Sequence, residues 1–364
     1  MSGGVRLHIC QLCRGLDPTF YSHHLVTNVT DSDPTYLASP LDSFSVTNLP
    51  ITHTVSMKDL FNLCTLYNSM KRKQFDIVHG HGAKGGVYAR IFGKLVGAKV
   101  VYTPHGGSSH EKTYRLAGWL QTKVEKLLIS YTDMFVFESN YAKIQFTNKI
   151  GSVVRPSIVN YNGINLPPSD QTTLDSQLQT PIIIGAFGRL EHAKGFDLLI
   201  KAIQILIVKN SLGVCCRIYG EGEDFPLLNN LIRKLQLQKQ ILLMGHSLEV
   251  SKDMANCDII VHPSRFDSMP YVPLEAMRAG KPVVVTEVGG LPEIVTDGVN
   301  GLLARPSPES IAEQVLKLCQ DHHLRQNIVS NMYPKLKQQF TSQTMLSNID
   351  SVYRSLLNSN KPES

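Results

Sequence analysis

Two doubly wound α/β lobes are the fold class expected of this chain. Three observations predict it: 364 residues, short β-branched runs alternating with longer amphipathic stretches, and a restart of that alternation after a polar break. The length suffices to bury two cores of ordinary domain size. With 42% hydrophobic and 18% charged residues, the composition is that of a folded globular protein and excludes a disordered one.

In the first half, apolar runs at 24–29, 76–79, 99–103, 134–137 and 153–161 predict strands. Amphipathic stretches at 58–70, 84–96, 114–130 and 140–149 predict the intervening helices. Pro167, Pro168, Ser169 and Asp170 open a polar linker over 166–180. Strands recur at 181–187, 214–219, 240–244, 258–262 and 282–286. The expected division is an N-terminal domain over 1–165, a C-terminal domain over 181–341, and a helix with a polar tail over 342–364. Ser2, Gly3 and Gly4 precede a helix-like run through Val5, Leu7, His8 and Leu12, as the turn after a first strand would. No strand-like residues precede them. A first lobe lacking its first strand is therefore expected, with strands 24–29 and 76–79 flanking an empty slot.

No run approaches the roughly 18 apolar residues of a membrane span. Arg6 and Arg14 interrupt what would be the apolar segment of a signal peptide. The seven cysteines are thus expected to be reduced in a cytoplasmic setting. Cys10 and Cys13 lack a second pair at zinc spacing, and their separation of three suits the core face of a helix. Net charge is +6, unevenly spread: residues 1–165 hold 17 Lys/Arg against 10 Asp/Glu, and the remainder 19 against 20. A basic first lobe fits contact with lipid head groups at the inner membrane face or with a phosphorylated acceptor, or is a solvated face. No recognition motif accompanies the basic residues, so nucleic acid is not an expected partner.

Ligands of doubly wound sheets bind beyond the carboxyl ends of the strands, so the chemistry is sought there. After strand 181–187 comes Gly188-Arg189-Leu190-Glu191-His192-Ala193-Lys194-Gly195, with a helix beginning near Gly195. Two cations beside a helix N-terminus can neutralise a diphosphate without a metal; a surface salt bridge is the plain alternative. After strand 258–262 comes a loop holding Asp267, Met269 and Pro270, then a helix with Tyr271, Pro273 and Glu275. Prolines are tolerated in a first turn, whose N–H groups lack intrahelical partners. Carboxylates so placed suit hydroxyl groups better than phosphate. A capping Asp and a helix-face Glu would look the same. Glycine turns at Gly220-Glu221-Gly222 and Gly289-Gly290 put backbone N–H groups at two further strand ends.

The order Arg189–Lys194, Gly220-Glu221-Gly222, Asp267–Glu275, Gly289-Gly290 and Asp297-Gly298-Val299-Asn300-Gly301-Leu302 resembles family 4 of the retaining glycosyltransferases. Asp76-Ile77-Val78-His79-Gly80-His81, Tyr102-Thr103-Pro104-His105-Gly106-Gly107 and Tyr161-Asn162-Gly163-Ile164 extend the resemblance over nearly the whole chain. It implies the GT-B fold: two Rossmann-like lobes with a central cleft. It implies that Arg189 and Lys194 hold the donor diphosphate, Glu275 the ribose, and Asp267 the transferred sugar, with His105 approaching that sugar. Gly3, Gly4, Gly220, Glu221, Met269, Tyr271 and Gly290 are implied as substrate-binding. Asp267 stands where the family usually has Glu, one methylene shorter. Pro270 stands where many members have Gly, removing one N–H. His79 and His81 read as packing or cleft-lining residues, since an i, i+2 pair alone makes a poor metal site.

The resemblance further implies a hexosyltransferase-type enzyme that needs no cofactor and no metal. Its donor is a nucleoside diphosphate sugar, its acceptor a saccharide or lipid-linked saccharide of surface polysaccharide assembly, and the anomeric configuration is retained. The rival readings are a non-catalytic nucleotide-sugar-binding protein and a nucleotide-sugar epimerase. A metal-dependent GT-A enzyme would have to be built on Asp31-Ser32-Asp33, which lies before a proline in a predicted loop.

Overall fold

The computed structural model describes residues 3–28, 44–49, 57–105, 115–151, 155–166, 178 and 180–358. Asp31 to Asp33, Gly106, Gly107 and most of the 166–180 linker lie outside them. The chain forms two compact units, one of Met1–Tyr161 with Ser342–Ser364 and one of Asn162–Thr341.

In the first unit, helix α1 (Gly3–Gly15) precedes strands β1 (His23–Thr27) and β2 (Phe44–Asn48), which pair in parallel as a two-stranded sheet. Gly3 and Gly4 are the first residues of α1. Helix α2 (Met57–Met70) leads to a second sheet, β3 (Ile77–His81), β4 (Lys99–Thr103), β5 (Met134–Phe137) and β6 (Ser157–Val159), all parallel and adjacent in chain order. Helices α3 (Gly82–Val96), α4 (Arg115–Leu128) and α5 (Asn140–Ile150) make the crossovers. Among the described residues no ladder joins β1 to β3. Strand β2 was not foreseen, because Ser45, Thr47 and Asn48 break its apolar run. Cys10 and Cys13 of α1 pack against the cluster of Ile9, Leu25 and Phe44.

The final helix, α13 (Ser342–Asn358), belongs to this unit. Its Met345, Ile349, Val352 and Tyr353 share one core with Leu12 of α1, with Leu16 just after it, and with Val101 and Val136 of the sheet. Asn160 Nδ2 donates to the Met345 carbonyl at 3.1 Å, and Asn348 Nδ2 donates to Asn160 Oδ1 at 3.0 Å.

The second unit is one six-stranded parallel sheet in the order β12-β11-β10-β7-β8-β9. Its strands are β7 (Ile182–Phe187), β8 (Val214–Tyr219), β9 (Ile241–Gly245), β10 (Ile259–His262), β11 (Val283–Thr286) and β12 (Leu302–Ala304). All four residues of β10 and of β11 are buried, as expected for strands covered on both faces. Helix α6 (Phe196–Asn210) follows β7 and buries Leu198, Leu199, Ala202, Ile203 and Leu206. Helices α7 (Phe225–Lys234), α8 (Val250–Ala255), α9 (Tyr271–Arg278) and α10 (Leu291–Ile294) complete the crossovers, and α11 (Pro308–Gln320) and α12 (His322–Gln339) follow β12. The chain enters at β7, runs outward to β9, then returns to β10 on the other side of β7. That reversal is the topological switch point, where adjacent crossovers diverge and leave a crevice beyond the strand ends.

Candidate active site

The loops after β7 and β10 meet at this switch point. The first forms a short 3-10 turn, His192–Lys194, and Gly195 caps α6 in the left-handed region at φ 66°. Lys194 therefore sits directly before the positive end of a 15-residue helix. Its ammonium donates to Asp267 Oδ2 at 2.5 Å. His262, at the end of β10, lies with Nε2 at 2.9 Å from the same oxygen, and Ser264 Oγ donates to it at 3.3 Å. All three contacts fall on Oδ2; among the described residues Oδ1 takes none. Asp267 thus has one oxygen to orient it and one to offer.

Burial alone would raise the Asp267 carboxyl, but Lys194 and His262 outweigh it and hold the group well below its ordinary value of 3.8. Burial pushes the His262 imidazole down, only partly offset by Asp267. A carboxylate with a depressed pKa contributes stability that is complete above its unfolded value and lost as pH falls through the folded one. Wild-type protein is therefore expected to lose more unfolding free energy between pH 5 and pH 3 than Asp267→Asn. Equal losses in paired urea titrations would contradict the ionised assignment.

The glycine turns hold this constellation by close approach. Gly290 N donates to the Asp267 carbonyl at 2.9 Å, and a Cβ on Gly289 (φ 63°) would overlap that same carbonyl. Gly220 N donates to the Gly245 carbonyl at 2.7 Å, and Leu190 N to the Glu221 carbonyl at 2.8 Å. The N–H groups of Gly220 and Gly290 thus have loop partners already. Gly289→Ala is expected to destabilise by more than Gly298→Ala, where φ is 73° and nothing lies within 4 Å. The control carries only the left-handed cost, about 1–2 kcal/mol. Equal urea midpoints for the two variants would show that the loop can yield.

The remaining expected residues fall in several places. Arg189 is 59% exposed and pairs with Glu191 at 2.7 Å. Lys194 is only 20% exposed, less than a pair of open surface cations would be, because Asp267 draws it inward. Pro270 is the N-cap of α9, and Pro273 sits within its first turn, where no intrahelical N–H is needed. Burial pushes the Glu275 carboxyl of α9 up, with Arg278 opposing. The side chains of Met269 and Tyr271 are buried, and the Met269 carbonyl accepts from Asn162 Nδ2 at 2.8 Å. Glu221 is exposed.

Sequence reasoning assigned no role to His262, Ser264, Arg265 or Thr286. Arg265 grips Asp197 of α6 with two bonds, at 2.7 and 2.8 Å, tying the β10 loop to the helix that follows Lys194. Thr286 Oγ1 donates to the Ser264 carbonyl at 2.5 Å. The available signal was a polar pair, His262 and Ser264, closing an otherwise apolar strand. An open concavity of about 320 Å³ also lies beyond β8 and β9, lined by Tyr219, Met244, His246, Ser247, Leu248, Glu249, Lys252 and Asp253.

His105, Gly3 and Gly4 belong to the first unit. His105 follows β4 at φ 50°, with Nδ1 2.8 Å from Glu138 Oε2 and Nε2 2.9 Å from His81 Nδ1. The His8 ring lies 5.5 Å from that of His81 and 5.2 Å from that of His105, edge-on to each. His79 pairs with Tyr353 Oη at 2.7 Å and Thr103 Oγ1 at 2.8 Å, and burial pushes it down to about 3. Both of its ring nitrogens are thus satisfied within this unit.

Two parallel α/β units, the second carrying a cation and a carboxylate at its switch point, match the architecture of the GT-B glycosyltransferases. The chain belongs to glycosyltransferase family 4: residues 2–167 match Glycosyltransferase Family 4, and residues 172–334 match Glycosyl transferases group 1. An uncharacterized glycosyltransferase of Methanocaldococcus jannaschii is 29% identical over 338 residues, covering 90% of this chain and 88% of that protein. The Escherichia coli UDP-Gal:alpha-D-GlcNAc-diphosphoundecaprenol alpha-1,3-galactosyltransferase is 27% identical over 265 residues, covering 68% and 67%. In fold, the chain is similar to Anabaena HepE, solved with UDP-glucose, at a TM-score of 0.78 and 21% identity over 98% of this chain and 97% of that one.

Proposed function

We propose that this glycosyltransferase moves a hexose from a nucleoside diphosphate sugar to a saccharide or lipid-linked saccharide, with retention and without a metal at the diphosphate. The observation that carries this is Lys194, poised before α6 and bonded to Asp267. An ammonium has three protons. One is directed at Asp267, and two remain for phosphate oxygens. Arg189, exposed beside it in the same loop, adds a second cation by turning from Glu191. Charge that develops on the leaving β-phosphate then meets preorganised positive potential.

Asp267 Oδ1 accepts from a sugar hydroxyl, its reach set by a loop that Gly290 and Arg265 hold in place. Glu275 accepts from the ribose. The concavity beyond β8 and β9 takes the base, near the Gly220 turn. No group here is assigned as a nucleophile at the anomeric carbon. Substitution proceeds on the same face, with the leaving phosphate taking the acceptor's proton.

The first unit's basic excess favours an anionic acceptor surface on the cytoplasmic side of a membrane. On α4, Trp119 and Leu127 are 58% and 72% exposed, and Lys123 lies over the Trp119 ring. An aromatic and an aliphatic side chain beside cations suit the head-group region. No helix among the described residues is long and apolar enough to cross a membrane. The Escherichia coli relative's acceptor, a diphosphoundecaprenol-linked sugar, supports a lipid-linked acceptor.

A thermal-shift panel of UDP, GDP, ADP and their sugars, run in EDTA, tests the donor assignment. A ligand held only by the folded state raises the apparent stability, by about 2.7 kcal/mol at a hundredfold excess over Kd. One nucleotide and its sugars should stand above the rest, and transfer to a lipid-linked acceptor should survive EDTA. A shift that appears only with added Mg2+ or Mn2+ would overturn the metal-free reading. Conversion of the donor with no acceptor present would favour an epimerase.

A further inference from the structure

Two kinds of buried histidine stand side by side in the first unit. His79 satisfies both ring nitrogens with hydroxyl groups, as a packing histidine does. Its neighbours converge instead: one nitrogen from each of His8, His81 and His105 lies within 4.8 Å of the other two. We propose that His8, His81 and His105 form a binding site for a transition-metal ion of the zinc class.

Four observations carry this. The three residues come from α1, the end of β3 and the residues just after β4, so the fold brings together segments distant in sequence. His81 Nδ1 and His105 Nε2 face each other at 2.9 Å. Around a tetrahedral ion with metal–nitrogen bonds of about 2.0–2.1 Å, neighbouring ligand nitrogens stand about 3.3 Å apart, so a small opening admits the ion. Glu138 approaches His105 Nδ1 at 2.8 Å. A carboxylate there keeps the proton on Nδ1 and directs the Nε2 lone pair inward, the arrangement that orients histidine ligands elsewhere. His105 is also held at φ 50°, a conformation rare for a residue with a Cβ, which fits a side chain aimed by its surroundings. Entry of the ion requires His81 to carry its proton on Nε2 rather than Nδ1. Three nitrogen ligands leave a fourth position for water or an exogenous ligand.

The donor assignment rests on Lys194 and Asp267 of the second unit, so failure of this site leaves it standing, and the ion is given no part in transfer. The full-length protein, stripped with a chelator, is titrated with Zn2+ against a fluorescent competitor and separately with Co2+. One equivalent should bind, and Co2+ should give the intense visible bands of a tetrahedral ion with nitrogen ligands. Glu138→Gln keeps all three ligands and should weaken Zn2+ about 10- to 100-fold. His8→Ala removes a ligand and should weaken it at least as much. Circular dichroism checks that each variant folds; if His8→Ala does not, Glu138→Gln alone decides. No uptake by the unaltered protein, or unchanged affinity in a folded variant, overturns the proposal.

Discussion

Lys194→Ala is expected to lower the transfer rate about a hundredfold, the equivalent of roughly 3 kcal/mol of lost charge stabilisation in the transition state. The structure adds a second consequence. Lys194 holds Asp267 at 2.5 Å, so its removal leaves that carboxylate with only His262 and Ser264. Some stability is lost with the rate, and the two must be separated. Asp267→Asn and the double variant do this. If Lys194 acts only by restraining Asp267, removing both costs no more rate than removing either. If its charge meets the diphosphate, the double variant is slower than Asp267→Asn, and nucleoside diphosphate binding falls with it. Full activity in Lys194→Ala would end the donor-site assignment.

Arg90→Ala should be the most damaging single change to stability in the first unit. The Arg90 side chain is 0% exposed, Nη1 lies 2.8 Å from Glu125 Oε2, and Nε donates to the Gly86 carbonyl at 2.9 Å. The guanidinium also stacks 4.2 Å from the centre of the Tyr102 ring. Truncation leaves Glu125, itself 3% exposed, a buried charge whose one remaining partner among the described residues is the Tyr102 hydroxyl, donating to Oε1 at 3.2 Å. Breaking such a pair costs about 3–5 kcal/mol, against a total of about 5–15 kcal/mol for a folded domain. Replacing both partners, Arg90→Met with Glu125→Leu, should recover most of that loss, since two apolar side chains need no solvation. Urea unfolding of the three proteins measures this. A loss below about 1 kcal/mol in Arg90→Ala would mean that water reaches Glu125.

The alternation of elements was legible because parallel strands covered on both faces must be almost wholly apolar. Predicted strands 99–103, 134–137 and 214–219 coincide with β4, β5 and β8. Strand β2 escaped because Ser45, Thr47 and Asn48 dilute its pattern, and β12 because three residues carry too little periodicity. The final helix was foreseen as a helix, but not its attachment to the first unit. Amphipathicity tells that a face must be covered, not by which partner.

Local chemistry is written in residue type and spacing. A glycine turn with cations before a helix is where an anion is expected, because free N–H groups and the helix dipole are properties of the segment itself. Arg189, Lys194, Asp267 and Glu275 could therefore be picked out from the chain alone. Which of them touch is a property of the β7–β10 adjacency, which joins residues 73 positions apart. The same holds for His262 and Ser264 behind Asp267, for Arg265 on Asp197, and for three histidines drawn from α1, β3 and the turn after β4. Contacts between distant segments depend on sheet order and register, which are set by the packing of the whole unit and leave no local pattern to read.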